Sequence, residues 1–580
     1  MSKLFRFLRP SQWSIIMTLV FVFLQSLSTL YLPRLMSQIV DTGIVRGNTP
    51  YILRVGGFML VVAIAGVLCS VAASWLASRV SGQFGRALRS VVFEHVQRFS
   101  LHEFDVLGTA SLITRTTNDI TQVQMLVNMM LRMMVMAPLM AIGGIIMSVL
   151  TDAKLSLVIV VVVPVLGLTI YLVMSKGVGL FRSMQMKIDA LNRVLREYLT
   201  GVRVIRSFNR IEYETMRFDA ANKDLTDTAV RVNQLMATMM PAMMLIVNLS
   251  TIAIIWFGSI RINNGHMQVG NLMAFLQYLM QILSAVMMVS MMFFMIPRAS
   301  ASGARIREVL DTAPEIVDPP ASVPNRPACQ QRAHSGVEFR GVTFRYPGAE
   351  KPALLDVSFT ARAGRVTAII GGTGSGKSTL VSLIPRFYDV EAGEVLVDGM
   401  DVRHMEQETL RLKLGFVSQT AVLFSGSVAD NIRYGKPDAS LDEIRRAAEI
   451  AQADEFIETM DGGYDALLTQ GGGNLSGGQK QRLTIARAVV RRPEIYVFDD
   501  SFSALDFKTD AKLRAALQPI ITESTVLIVA QRVSTVMSAD EIIVLDQGSV
   551  AGIGTHEQLC QTCSVYQEIV ASQLGEGETA

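Results

Sequence analysis

Residues 365–379 read Arg365-Val366-Thr367-Ala368-Ile369-Ile370-Gly371-Gly372-Thr373-Gly374-Ser375-Gly376-Lys377-Ser378-Thr379. The first six form a strongly β-type run that stops at glycine. Gly371 to Ser378 fit G-x-x-x-x-G-K-[ST] between a strand and a helix. The glycines let backbone N–H groups close round phosphate oxygens in a concave anion nest. The next helix turns the positive end of its dipole toward the same phosphates. In that arrangement Lys377 reaches the β- and γ-phosphates of ATP and Ser378 binds Mg²⁺. Gly371, Thr373, Gly374, Ser375, Gly376 and Thr379 complete the cradle. This part of the chain is predicted to be an α/β P-loop ATPase.

Two further elements belong with it. Ile495-Tyr496-Val497-Phe498-Asp499-Asp500 is an apolar run ending in acids. Such a run reads as a buried strand delivering carboxylates to its C-terminal edge, where α/β proteins bind ligands. Asp499 is the predicted Mg²⁺ partner. Between the two motifs stands Asn474-Leu475-Ser476-Gly477-Gly478-Gln479, continued by a helical run from Lys480 to Arg491. Ser-Gly-Gly opening a helix is another anion-binding N-terminus. No strand precedes it, so it is not a second P-loop.

N-terminal to residue 298 the character changes. The chain has 580 residues, of which only 18% are charged, and the deficit lies in the first 300. A soluble chain averages about 25%. Mean hydropathy is +0.37. A membrane-crossing helix needs about 20 mostly apolar residues. Six such stretches lack Asp, Glu, Lys and Arg: Trp13 to Pro33, Val55 to Ser78, Met133 to Thr151, Leu155 to Ser175, and two within Val232 to Ile260 and Met267 to Pro297. The predicted division is a six-span membrane domain at 1–310, a linker at 311–335 and the ATPase domain at 336–580. The linker is inferred from Pro319-Pro320, Pro324 and Pro327, which exclude regular helix and central strand.

The connections alternate in length. Spans 2–3 and 4–5 are joined by basic segments of roughly 50 residues, which hold Arg79, Arg86, Arg89, Arg98 and Arg115, then Lys176, Arg182, Lys187 and Arg193 through Arg217. Basic connections favour the cytoplasmic side. Both long segments, both termini and the ATPase domain are therefore expected in the cytosol of a multi-pass inner (plasma) membrane protein. Helical periodicity carries the spans beyond the bilayer. The opening Lys3, Arg6 and Arg9, interleaved with Leu4, Phe5, Phe7 and Leu8, read as a short amphipathic segment on the inner membrane surface. A net charge of +3 is too small to imply a nucleic-acid partner. Cys560 and Cys563 form a lone C-x-x-C that His556 does not complete into a zinc pattern. The two are expected as free cytosolic thiols.

No ionisable side chain falls inside the predicted spans, which argues against a small ion as cargo. Methionine is abundant there, in runs such as Met129 to Met140, Met239 to Met244 and Met287 to Met292. Flexible thioethers suit a surface that accepts varied apolar shapes. They serve packing equally well, so they only tilt the reading of the cargo.

With these residues in place the chain resembles half-transporters of the ATP-binding-cassette family, of the type IV exporter-like fold, from end to end. Leu475 to Gln479 looks like the LSGGQ signature of that family. The resemblance implies that Tyr346, in Phe344-Arg345-Tyr346-Pro347, stacks on adenine. It makes Gln419 the glutamine-loop residue that senses Mg²⁺ and the membrane domain, and Ser503-Ala504-Leu505-Asp506 the D-loop. Phe104-Asp105 with Gly108, Arg115 and Asp119 resembles a first coupling region; Glu197, Gly201, Ile205 and Phe208 resemble a second. It further implies two ATP sites at a dimer interface, each P-loop facing Ser476, Gly477, Gly478 and Gln479 of the partner.

Two positions depart from the family. Asp500 stands where the family has Glu, and Gln531 where its switch loop has His. Losing a methylene draws the carboxylate back by about 1 Å, a misplacement that costs on the order of 100-fold. Gln531 can hydrogen-bond a γ-phosphate but carries no titratable proton. Together they predict a site that binds ATP and hydrolyses it poorly. The intact signature would serve a competent site on a different partner chain. Gly471-Gly472-Gly473 before the signature points the same way. The leading expectation is a heterodimeric exporter of hydrophobic or amphipathic compounds, drug or lipid. Import of a lipid, fatty acid or siderophore through the same fold is the second reading, and a nucleotide-binding regulatory subunit the third. The six spans exclude a soluble cassette ATPase.

Overall fold

The computed structural model describes residues 2–319 and 336–573. The chain divides into two compact units. One holds Met1–Gln97 and Ala110–Thr312; the other holds Arg98–Thr109 and Ala313–Ala580. Of the predicted linker, residues 320–335 lie outside the described residues, and Cys329 with them. Cys69, Cys560 and Cys563 are free.

The first unit is built on six helices long and apolar enough to cross a membrane: Lys3–Ile44, Thr49–Gln97, Thr109–Thr151, Leu157–Ser207, Ile211–Asn263 and Val269–Asp311. All outrun the predicted stretches, because polar and basic residues continue the same helical register past the apolar segment. The first does not stop at Pro33; it runs through that residue to Gln38 and on into a π-helical turn, Ile39–Ile44. A membrane helix tolerates proline because neighbouring groups satisfy the freed carbonyl. That extension brings Asp41 into the bundle and leaves Arg34 exposed on the helix.

Water exclusion does not drive helices together in lipid, so close backbone approach matters more. A Cβ on Gly144 of the third span would lie 2.7 Å from Ile282 Cγ1 of the sixth. Asp41 accepts the Gly270 amide at 2.6 Å and the Ser37 hydroxyl at 3.1 Å, tying the first span to the start of the sixth. At the other end of these helices Arg305 pairs with buried Asp119, and Arg115 reaches Glu308 at 3.0 Å.

The second unit is layered α/β. Its main sheet has six strands in the order Ser549–Gly554, Glu541–Asp546, Val366–Gly371, Thr525–Val529, Ile495–Asp499, Leu414–Val417. All pairings are parallel except the outermost, Glu541–Asp546 with Ser549–Gly554. Ile495–Asp499 and Thr525–Val529 are buried at every position, as central strands covered on both faces must be. A second, antiparallel sheet of four strands includes Val337–Phe344, one continuous, bulged strand.

Residues 98–109 fold with this unit. Helix Leu101–Leu107 carries a capping box from Ser100 and Glu103. Glu103 also accepts the Glu315 amide at 2.9 Å, and Tyr388 donates to Asp105 at 3.3 Å. The Phe104-Asp105 part of the predicted first coupling region is thus fastened to the ATPase unit, while Arg115 and Asp119 belong to the helical unit. In the second predicted region, Phe208 comes just after helix Leu157–Ser207 and is 74% exposed.

Candidate functional site

Four neighbouring parallel strands end at one edge of the six-stranded sheet. Val366–Gly371 runs into the P-loop, Thr525–Val529 into the Gln531 loop, Ile495–Asp499 into Asp500, and Leu414–Val417 into Gln419. Residues far apart in sequence are brought together because parallel pairing aligns the carboxyl ends.

The P-loop itself is set by glycine geometry at two points. Gly376 caps helix Lys377–Leu383 with φ +96°, a conformation side chains other than glycine rarely adopt. At Gly371 a Cβ would sit 2.1 Å from the Leu545 carbonyl. Lys377 folds back over the loop and donates to the Gly371 and Gly372 carbonyls, both at 2.8 Å. Burial pushes its pKa down, opposed by the charges of Asp500 and Asp499. Ser375 is buried and its hydroxyl has no hydrogen-bond partner among the described residues. A buried polar group without a partner costs about 1–3 kcal/mol. A phosphate oxygen would satisfy the Ser375 hydroxyl, so the residues fit ATP.

Ser378 donates to Asp499 Oδ1 at 3.0 Å. Burial pushes the Asp499 carboxyl up; the Ser378 bond and Lys377 oppose this, and Asp500 adds to it. A divalent cation would relieve both the burial and the like charge, so the pair fits Mg²⁺. Asp500 has φ +47°. Its Oδ2 accepts from Gln531 Nε2 at 2.9 Å and from Gln419 Nε2 at 3.3 Å. Burial raises its carboxyl too, against the bonds from Gln419 and Ser503 and the charges of Lys377 and Arg532. The predicted Asp500, Gln531 and Gln419 therefore form one hydrogen-bonded cluster.

Tyr346 is 36% exposed. Its hydroxyl lies 3.0 Å from Thr379 Oγ1, and Phe344 and Tyr388 meet its ring edge-on. Those contacts fix the ring beside the helix that leaves the P-loop. The signature residues form a capping box: Ser476 accepts the Gln479 amide at 3.3 Å, and Gln479 accepts the Ser476 amide at 2.8 Å. Ser476 and Gly477 are exposed, and Gly478 lies under the Ala504 carbonyl, 3.1 Å from where its Cβ would be.

Sequence reasoning missed the groups that hold these loops. Gln573, in the C-terminal helix Ser564–Gln573, donates to the Gln531 carbonyl at 2.7 Å and accepts the Val533 amide at 2.8 Å. Arg532 donates to the Ser503 carbonyl at 3.2 Å, joining switch loop to D-loop. Gln481, just beyond the signature, reaches the Ser418 carbonyl at 3.4 Å. No motif marks Gln573; only the tertiary fold places it against the switch loop.

Residues 15–286 match the ABC transporter transmembrane region family, and residues 354–503 match the ABC transporter family. The chain belongs to the ABC transporter family. The transporter is 47% identical to an uncharacterized ABC transporter ATP-binding protein of Mycobacterium tuberculosis, over 98% of this chain and 97% of that one. It is 30% identical to an ATP-dependent lipid A-core flippase of Vibrio vulnificus, over 99% of this chain and 98% of that one. A solved bacterial Atm1-family ABC exporter with ATP bound superposes with a TM-score of 0.79 at 28% identity, covering 98% of this chain and 99% of that chain. The transporter is thus a multi-pass membrane protein of exporter fold that binds and hydrolyses ATP.

Proposed function

We propose that the transporter is one half of an asymmetric heterodimer that exports hydrophobic or amphipathic compounds, lipid or drug, with the ATPase unit and both termini in the cytosol. The carrying observation is the Asp500 cluster. The carboxylate in the general-base position is short by one methylene, and carboxamides from Gln531 and Gln419 both bond its Oδ2. A carboxamide has no titratable proton to relay. ATP held by Lys377, with Mg²⁺ between Ser378 and Asp499, would be retained longer than it is cleaved. The ion would draw charge from the β- and γ-phosphates; Gln419 would orient the attacking water.

The signature surface is intact and open, with Ser476 and Gly477 exposed, and Phe208 stands 74% exposed. Both are surfaces that a second half-transporter would cover. Its P-loop would meet Ser476 to Gln479 and turn over ATP. The lipid reading draws on the flippase relative and on the many apolar side chains exposed along the outer helix surfaces.

The test is to purify the chain alone and with its partner. Alone it should bind ATP with little turnover; together they should hydrolyse it, and replacing the partner's catalytic Glu should abolish activity. Brisk turnover by this chain alone would overturn the heterodimer.

A further inference from the structure

The first span carries one feature that helix packing does not explain. Arg34 lies one turn beyond Leu30, is exposed, and makes no hydrogen bond or ion pair among the described residues. A charge within a membrane-spanning helix is costly and normally marks a substrate path or finds a partner. The bundle also holds unpaired polar atoms. Tyr278 of the sixth span is fully buried and its hydroxyl is unpaired among the described residues. Tyr278 shares one buried cluster with Leu30 of the first span and Met140 of the third. Ser148 of the third span is fully buried with an unpaired hydroxyl. It lies one turn beyond Gly144, whose Cβ would stand 3.6 Å from the Tyr278 carbonyl. Gln281 gives its amide nitrogen to the Thr29 carbonyl at 3.1 Å, leaving its oxygen unpaired.

The same side of the first span continues as an apolar stripe. Leu27, Phe23, Val20 and Ile16 are each more than two-fifths exposed and lie at helical spacing from Arg34. From Arg34 to Phe23 the helix rises about 16 Å, close to the depth of one leaflet of a hydrocarbon core roughly 30 Å thick. A cation with unpaired hydroxyls at one end of a leaflet-long apolar strip is complementary to an acidic head on an alkyl chain.

We propose that Arg34, Tyr278, Ser148 and Gln281 form a headgroup site for an anionic amphiphile carried by the transporter. Arg34 is the counter-ion. The Tyr278 hydroxyl donates to the acidic oxygens, and Gln281 Oε1 accepts from a hydroxyl of the head. The chain of the amphiphile lies on Leu27 and Phe23. The buried hydroxyls open to the head as the first, third and sixth spans move apart. This names the substrate class of the export reading and rests on it.

The probe is radiolabelled dodecyl phosphate, with dodecyltrimethylammonium as its cationic counterpart. Both are offered to the assembled transporter in phosphatidylcholine nanodiscs, with capture and stimulation of ATP turnover as readouts. Dodecyl phosphate should be captured and should stimulate turnover; the cation should do neither. Arg34→Ala should weaken capture about tenfold, the equivalent of one charge-assisted hydrogen bond. Arg34→Lys should recover most of it. Tyr278→Phe, which keeps the packing, should weaken it several-fold, and Arg54→Ala should leave it unchanged. Capture that is the same for both probes, or insensitive to Arg34→Ala and Tyr278→Phe, overturns the site. Capture that needs Arg34 but never alters turnover marks a bound bilayer lipid and overturns the assignment to cargo. Replacing the partner's catalytic Glu silences turnover without touching the helices, so a dead cassette that still captures dodecyl phosphate separates failure of the export reading from failure of this one.

Discussion

Restoring Glu at position 500 and His at position 531 should turn a holding site into a cleaving one. Asp500 sits at the end of a fully buried strand, so its Cα is fixed and the carboxylate's reach is set by side-chain length alone. One methylene adds about 1 Å toward the attacking water. Misplacement on that scale costs on the order of 100-fold, or about 2.7 kcal/mol of activation free energy at about 1.36 kcal/mol per decade. Gln531→His frees Oδ2 from the 2.9 Å carboxamide bond and supplies a group that titrates near neutrality. The double variant should cleave ATP at this site at least 100-fold faster. The change has a cost. Position 500 has φ +47°, where Asp is tolerated and longer side chains are disfavoured, so Asp500→Glu should lower stability by roughly 1 kcal/mol. The assay is single-turnover release of γ-phosphate by the assembled transporter with the partner's catalytic Glu replaced, so that only this site reports. A wild-type site already turning over at an ordinary rate, or a double variant that binds ATP and cleaves it no faster, refutes the reasoning.

Lys377→Ala should weaken ATP capture at this chain's pocket by at least tenfold, read by photolabelling with an azido-ATP; unchanged labelling would contradict the P-loop assignment. Gln573→Ala removes both bonds to the switch loop, each worth about 0.5–1.5 kcal/mol, and should speed hydrogen exchange at the Val533 amide several-fold, whereas Gln573→Glu, which keeps the acceptor, should do so less. Gly144→Val forces a side chain into Ile282 and should destabilise the helical unit by about 1–3 kcal/mol, seen as a lower detergent melting temperature. Glu103 is held below the usual carboxylate range: burial alone would raise it, but bonds from the Ser100 hydroxyl and the Glu315 and Ser100 amides outweigh that. A carboxyl depressed in the folded state contributes stability above its unfolded pKa of about 4.5 and loses it as pH falls through the folded value. Proteolysis at helix Leu101–Leu107 should therefore accelerate in acid, and Glu103→Gln should show that susceptibility already at neutral pH.

Local sequence already specified much of this protein. The P-loop could be read from residues 371–379 because its chemistry depends on backbone N–H groups of consecutive residues, so the motif and the site are the same stretch. The spans could be read because bilayer thickness imposes a minimum apolar length on each helix separately. The departures at Asp500 and Gln531 were legible one residue at a time. Tertiary structure decided what lies between distant segments. It brought Gln419, Asp500 and Gln531 onto one carboxylate by aligning the ends of parallel strands. It set Gln573 against the switch loop, and placed residues 98–109 with the ATPase unit through Glu103 and Tyr388. It also continued the first helix past Pro33, which put Arg34 one turn beyond Leu30, a residue that shares a buried cluster with Tyr278 of the sixth span. Each of these depends on a contact between chain segments whose spacing no periodicity encodes: a hydrogen bond forms at about 3 Å whatever the sequence separation, and only the folded chain determines which groups come that close.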